Sequence, residues 1–165
     1  MTPSDLKKNQ ISSAIELFSK GEINQAFDAV QDLLKDYPNE PVLFNIRGAC
    51  YADLGQLDVA VTNYKEAITI KPDYAKAHFN LAGSLHDLGQ LETAVQSYQK
   101  AIEIDASYAE AYNNLGNVYQ ELKQVDSAVN SYKMALEIKP DYVAAQYSLG
   151  NTFMELGQLE EAVKS

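Results

Sequence analysis

Few residues of this sequence are of the types that catalyse reactions or bind metals. The histidines are His78 and His86, eight residues apart, and the one cysteine is Cys50. Two zinc-binding histidines on a helix usually stand four residues apart, so that both face the same side. His86 and Asp87 are adjacent, and neighbours on a helix point about 100° apart, which is a poor arrangement for a base and its orienting group. We therefore expect no metal site, no cofactor and no catalytic site.

Charge and composition disfavour several other functions. The 165 residues carry a formal net charge of -10, with 46% hydrophobic and 22% charged residues, which is typical of a folded soluble protein. The acidic excess disfavours nucleic acid and anionic membranes as partners, and a neutral or basic polypeptide fits it better. We find no secretory signal and no run of about 18 apolar residues. We therefore expect no membrane insertion, with the cytoplasm as the default location.

The sequence repeats itself every 34 residues. The positions that recur most clearly are Ala60, Ala94, Ala128 and Ala162, together with Tyr64, Tyr98 and Tyr132. This period divides a single array over residues 1–165 into four complete units and one incomplete unit. The expected units are 7–40, 41–74, 75–108, 109–142 and 143–165.

Each unit has the pattern of two helices joined by a turn. In the third unit, one helical face is formed by Leu81, Leu85 and Leu88. Gly89 follows, where glycine can adopt the left-handed conformation that ends a helix. The equivalent residues of the other units are Gly21, Gly55, Lys123 and Gly157. A left-handed lysine at 123 would be strained, because it carries a Cβ atom.

These spacings resemble those of the tetratricopeptide repeat (TPR) family. The fourth unit carries the family signature as Tyr112, Leu115, Gly116, Tyr119, Ala128, Tyr132, Ala135 and Pro140. The resemblance implies an all-α fold: an α-solenoid of antiparallel helix pairs in a right-handed superhelix of about ten helices. It also implies that the first helix of each unit lines a concave groove. The stretch AYNNLGNVYQEL is further similar to the TPR domains of O-linked sugar transferases.

The family resemblance also assigns groove residues, by their place in each unit. We expect the peptide-binding groove to contain Asn45, Lys76, Phe79, Asn80, His86, Asp87, Asn113, Asn114, Asn117, Glu121, Tyr147 and Asn151. An amide side chain both donates and accepts hydrogen bonds, so the asparagines suit the backbone of an extended peptide. The alternative is that these asparagines fix the packing of the helices.

We therefore expect a protein–protein interaction scaffold that binds an extended peptide or a helix, and no enzymatic activity in this chain. Two alternatives stay open: an N-terminal targeting module of a larger transferase, and a self-assembling structural repeat protein. The fifth unit stops inside its second helix, where Leu159, Ala162 and Val163 would expose an apolar face. Either the chain is a fragment of a longer protein, or this uncapped end associates with another copy.

Overall fold

The computed structural model describes the backbone of residues 2–164, and the side chains of this range except those of Pro3 and residues 158–164. Over residues 2–164 the chain forms nine α-helices and no strand, which confirms the all-α prediction. The helices are α1 Pro3–Ser19, α2 Ile23–Asp36, α3 Pro41–Asp53, α4 Leu57–Ile70, α5 Ala75–Asp87, α6 Leu91–Ile104, α7 Ala109–Glu121, α8 Val125–Ile138 and α9 Val143–Lys164.

The helices pack only against near neighbours along the chain. Four hairpins form from α1 and α2, α3 and α4, α5 and α6, and α7 and α8. The second helix of each hairpin packs against the first helix of the next unit, and successive first helices also touch one another. This arrangement is an α-solenoid, in which each repeat buries the apolar face of its neighbour.

In the turn inside each hairpin, one residue adopts a left-handed backbone conformation and the first helix ends there. Gly89 has a φ of 72°. Its N–H donates to the carbonyl of His86 at 2.8 Å, and that of Gln90 donates to Leu85 at 2.9 Å. These two bonds satisfy carbonyls that the end of a helix leaves free. Lys123 makes the same turn with a φ of 60°, so the expected left-handed lysine is confirmed.

The expected turn at Gly157 is wrong, because α9 runs through this residue as one helix from Val143 to Lys164. In the second to fourth units, the turn is followed by a helix of 14 residues that packs back on the first helix. Residues 158–164 are half as long and would bury little surface by folding back. A continued helix satisfies their backbone hydrogen bonds instead. The apolar face expected from Leu159, Ala162 and Val163 lies outside the described side chains.

In the second and fourth units a large ring packs over a glycine and holds the hairpin together. Tyr132 of α8 is fully buried, and a Cβ atom added to Gly116 of α7 would lie 2.5 Å from its ring. At Gly150 of α9 an added Cβ would meet nothing within 4 Å, and Phe153 is 49% exposed. Phe153 occupies the position of the signature aromatic Tyr119 but is half exposed. Among the described residues no second helix folds back over α9.

Candidate binding groove

The first helices of successive units lie side by side and are joined by polar side chains. The three links are Asn80 Nδ2 donating to Asn45 Oδ1 at 3.0 Å, His86 Nε2 at 2.6 Å from Glu121 Oε1, and Gln120 Nε2 donating to Glu155 Oε2 at 3.3 Å. Each link joins residues 35 positions apart. The positions assigned to the groove in neighbouring units therefore share one face of the solenoid.

An apolar cleft of about 220 Å³ opens on this face between α1, α3 and α5. Its apolar walls are formed by Ile15, Phe18, Val42, Ile46 and Ala49. The amides of Asn45 and Asn80 and the ammonium group of Lys76 are its main polar groups. A second hollow of about 480 Å³ along α1 shares Ile15 and Val42 with it. A cleft with apolar walls and a few polar groups is suited to one bulky apolar side chain of a ligand.

The expected site residues do not include the contribution of α1 to this cleft. Ile15 and Phe18 occupy the ninth and twelfth positions of the first unit. The first unit has Ser13 and Ala14 in place of the Leu-Gly pair, so its groove positions are hard to assign. They can be identified by counting back 34 residues from the groove positions of the second unit.

The asparagines are tied into the fold to different degrees. Asn45 and Asn113 are buried, at 7% and 5% exposure. Asn117 Oδ1 accepts a hydrogen bond from the Tyr132 hydroxyl at 2.9 Å. Among the described residues Asn151 has no hydrogen-bond partner, and it lines a hollow of about 270 Å³ beside α9. The amides of α3 and α7 therefore hold neighbouring helices together, whereas Asn151 is available to a ligand.

Asn114 contacts the second helix of the preceding unit through Tyr98. Burial raises the pKa of Tyr98 to about 12, and the nearby Asn114 amide acts in the opposite direction. The hydroxyl therefore stays protonated at neutral pH. Asn114 also accepts from Asn113 Nδ2 at 3.2 Å, while the buried Oδ1 of Asn113 has no hydrogen-bond partner among the described residues. A ligand at this point meets an amide network that is not fully satisfied.

The two aromatic residues expected in the groove differ in availability. Phe79 stacks on Tyr108 with ring centroids 4.8 Å apart, and its edge contacts Tyr98. Lys76 Nζ lies 4.9 Å from the centroid of the Phe79 ring. Tyr147 occupies the same place in the fifth unit and is 71% exposed. Phe79 is thus part of the internal packing, and Tyr147 is open to a partner.

Acidic residues stand at the ends of α3, α5 and α7, and at the equivalent position inside α9. Asp53, Asp87 and Glu121 are the last residues of α3, α5 and α7, and Glu155 is their equivalent in α9. We call these four exposed residues the acidic ladder. The C-terminal end of a helix carries a partial negative charge, so each acidic residue there costs about 0.3–1 kcal/mol. Among the described residues, Asp53 and Asp87 have neither a hydrogen bond nor an ion pair that would offset this cost.

The remaining reactive side chains form no catalytic arrangement in the described part of the chain. His78 Nε2 lies 2.9 Å from the carbonyl oxygen of Pro72, away from His86. The described residues contain no cluster of three His, Cys, Asp or Glu that could hold a metal ion. Burial raises the pKa of the Cys50 thiol to about 11, so the reactive thiolate is scarce at neutral pH. No described helix has both the length and the apolar character needed to cross a bilayer.

Family models match most of this chain. A model described as TPR repeat matches residues 48–89 and 83–123. Models described as tetratricopeptide repeat match residues 109–142 and 143–165. The chain therefore belongs to the tetratricopeptide repeat family.

Known proteins similar to this chain include a receptor and two solved TPR structures. The peroxisomal targeting signal receptor of Candida glabrata is 29% identical over 75 residues, which are 46% of this chain and 13% of the receptor. The crystal structure of MamA is 28% identical with a TM-score of 0.78, covering 92% of this chain and 88% of that one. The first TPR of Spaghetti (RPAP3), solved with the HSP90 peptide SRMEEVD, is 22% identical with a TM-score of 0.70, covering 72% of this chain and 94% of that one. This last likeness is one of fold.

Proposed function

We propose that this chain is a binding module that holds an extended segment of another protein in the groove formed by its first helices. The observation that carries the proposal is the cleft of about 220 Å³, whose apolar walls stand beside the amides of Asn45 and Asn80. Such a cleft binds one apolar side chain, while the amides bond the ligand backbone on either side of it. Membership of the TPR family supports the proposal, since one similar protein is by name a receptor and another was solved with a bound peptide.

The expected groove residues would then contribute unequally. Tyr147 is exposed, and Asn151 is half-buried but has no hydrogen-bond partner among the described residues, so both would contact the ligand directly. Asn80 and Asn114 are half-buried and would contact it while keeping their contacts with neighbouring helices. Asn45 would act mainly by orienting Asn80.

The test is an unbiased selection from a displayed peptide library, followed by a variant that fills the cleft. Ala49 is half-buried and lines the cleft, so Ala49→Phe should obstruct it without removing a hydrogen bond. We expect selected peptides to lose at least about tenfold in affinity for Ala49→Phe. The matched control is Asn130→Phe on the exposed side of α8, which should bind as the parent does. Failure to select any peptide, or equal binding by Ala49→Phe, would contradict the proposal.

Self-association through the fifth unit is a second candidate function. On one face of α9, Val143, Tyr147 and Met154 are 72%, 71% and 62% exposed. Large apolar side chains exposed together favour contact with another protein surface, here that of a second copy. Light scattering should show a mass that rises with concentration, and Val143→Ser with Met154→Ser should remove the rise. A constant monomer mass at high concentration would exclude this candidate.

The narrower resemblance to the repeats of O-linked sugar transferases stays a prediction. It would make this chain a targeting module of a larger enzyme, with the groove selecting the protein to be modified. The groove proposal holds for either arrangement, because it concerns only the helices described above.

A further inference from the structure

The groove has two unlike halves. Its N-terminal half, between α1, α3 and α5, is walled by apolar side chains and bordered by Lys8 and Lys76. Its C-terminal half, along α7 and α9, offers polar and acidic side chains, including Gln120, Asn151 and Glu155. Among the positions assigned to the groove in the fourth and fifth units there is no lysine or arginine. A ligand that spans the groove therefore meets an apolar cleft first and a negative surface next.

Two members of the acidic ladder, Asp53 and Asp87, are placed where the fold itself gains nothing from them. Each of Asp53, Asp87 and Glu121 ends a helix, where the helix dipole already favours a cation. Glu121 and Glu155 contact His86 and Gln120, whereas Asp53 and Asp87 have no partner among the described residues. Residues that oppose local stability without a compensating contact are expected at functional sites. The carboxylates and the helix ends together produce a negative potential along one edge of the groove.

We infer that the ligand of this groove is an extended peptide with one bulky aliphatic residue and two basic residues spaced along the same chain. The inference rests on the proposed function and specifies its ligand. The aliphatic side chain occupies the cleft between Val42 and Ile46, and the basic side chains reach Asp87 and Glu121. The long stems of lysine and arginine carry their charge to the edge of the groove while the peptide backbone stays near the amides.

The geometry also sets the spacing of these residues. Packed helices lie about 8–10 Å apart, and an extended chain advances about 3.3 Å per residue. One helix of the groove therefore corresponds to about three peptide residues. The cleft is centred on α3. Asp87 ends the next first helix, α5, and Glu121 ends the first helix after that, α7. The basic residues should thus stand about three and six positions from the aliphatic residue. A positive charge directly beside that residue is disfavoured by Lys76.

One unpaired acceptor on α7, about two helical turns before Glu121, favours the same ligand. Asn113 is buried, and its Oδ1 has no hydrogen-bond partner among the described residues. It occupies the position equivalent to Asn45, which lines the cleft. A peptide rich in N–H donors can satisfy such an acceptor after a small side-chain rotation, whereas an acidic side chain supplies only further acceptors.

The test measures the binding of short labelled peptides by fluorescence anisotropy. Each peptide contains one leucine and two lysines at this spacing. In one peptide the lysines follow the leucine, and in the other they precede it. We expect at least one of the two to bind, about tenfold tighter than its counterpart with glutamate in place of lysine. Replacing its leucine by serine should also abolish binding. High salt should weaken the lysine peptide, because the ladder is exposed.

The matching protein variant is Asp87→Asn with Glu121→Gln, which should reduce the lysine preference about tenfold. Its control, Glu66→Gln with Glu137→Gln, changes the net charge equally on second helices and should retain the preference. The ladder variant should melt no lower than the parent, since it removes charge from helix C-terminal ends. Reduced binding would then not reflect unfolding.

Two results would overturn the inference and leave the proposed function intact. One is a set of library peptides that depend on the cleft but carry no basic residues. The other is a lysine preference that survives in the ladder variant, which would indicate attraction to the net charge of the whole chain. If no peptide of any composition depends on the cleft, both the inference and the proposed function fail.

Discussion

The fourth and fifth units carry the same signature residues in different surroundings. In α7, Gly116 lies beneath the buried ring of Tyr132, and the partly buried Tyr119 accepts a hydrogen bond from Gln99 of α6. In α9, Gly150 has open space around it, and Phe153 at the position of Tyr119 is half exposed. The signature glycine therefore has its structural effect only when a second helix packs over it. Neighbouring helices, rather than the residue types alone, determine which positions are core.

The turn positions of the two units also show that neighbouring helices outweigh residue type. Lys123 adopts a left-handed conformation that its Cβ atom disfavours, whereas Gly157, which could adopt it freely, is helical. The packing of α8 against α7 forces the turn at Lys123. The glycine at 157 has no comparable second helix to position, so the helix continues.

The largest expected difference between the two units comes from their aromatic residues. Tyr132→Ala should destabilise the protein by about 3–5 kcal/mol, because it empties a fully buried site. Phe153→Ala should cost less than about 1 kcal/mol, because half of that side chain is already in water. Urea unfolding followed by circular dichroism measures both values. Equal losses of stability in the two variants would show that other helices cover α9 as fully as they cover α7.

The glycines at equivalent positions of α7 and α9 should respond to substitution by alanine with opposite signs. Alanine stabilises a helix by about 1 kcal/mol relative to glycine. At Gly150 this gain should be observed, because an added Cβ atom meets nothing within 4 Å. At Gly116 the Cβ atom would lie 2.5 Å from the Tyr132 ring, and overpacking of about 1–3 kcal/mol should outweigh the gain. A thermal melt of Gly116→Ala above that of the parent would contradict the close packing of α7 and α8.

The turn residues provide the smallest and most specific comparison. Lys123→Gly should stabilise the protein by around 1 kcal/mol, because it removes strain at a positive φ. The reciprocal control, Gly89→Lys, should destabilise it by a similar amount. Gly157→Ala should stabilise α9 by about 0.5–1 kcal/mol. Destabilisation by Gly157→Ala would instead indicate that α9 bends there.

The solenoid could be predicted from the sequence because its signals recur. Helix α5 was expected from the apolar spacing of Leu81, Leu85 and Leu88, and Gly89 marked its end. The same period fixes where the other first helices begin, at Pro41, Ala109 and Val143. Local patterns of this kind are sufficient when every unit is built alike and each contacts only its neighbours.

The details of the groove were harder to predict because they depend on tertiary contacts. Nothing in the residue type distinguishes Asn45, which is buried and hydrogen-bonded, from Asn151, which is half-buried and has no hydrogen-bond partner among the described residues. The bonds from Asn80 to Asn45 and from Tyr132 to Asn117 join separate helices and leave no local pattern. The contribution of Ile15 to the cleft was missed for a different reason, since the first unit departs most from the repeat.

The restriction of packing to near neighbours has a consequence for how the chain folds. In the described part of the chain, contacts between helices reach no further than the second helix along the sequence. Folding therefore requires no encounter between distant parts of the chain, and the entropy lost in closing each loop stays small. Topologies with such local contacts fold within microseconds to milliseconds. Each hairpin can thus form on its predecessor while later residues are still being synthesised.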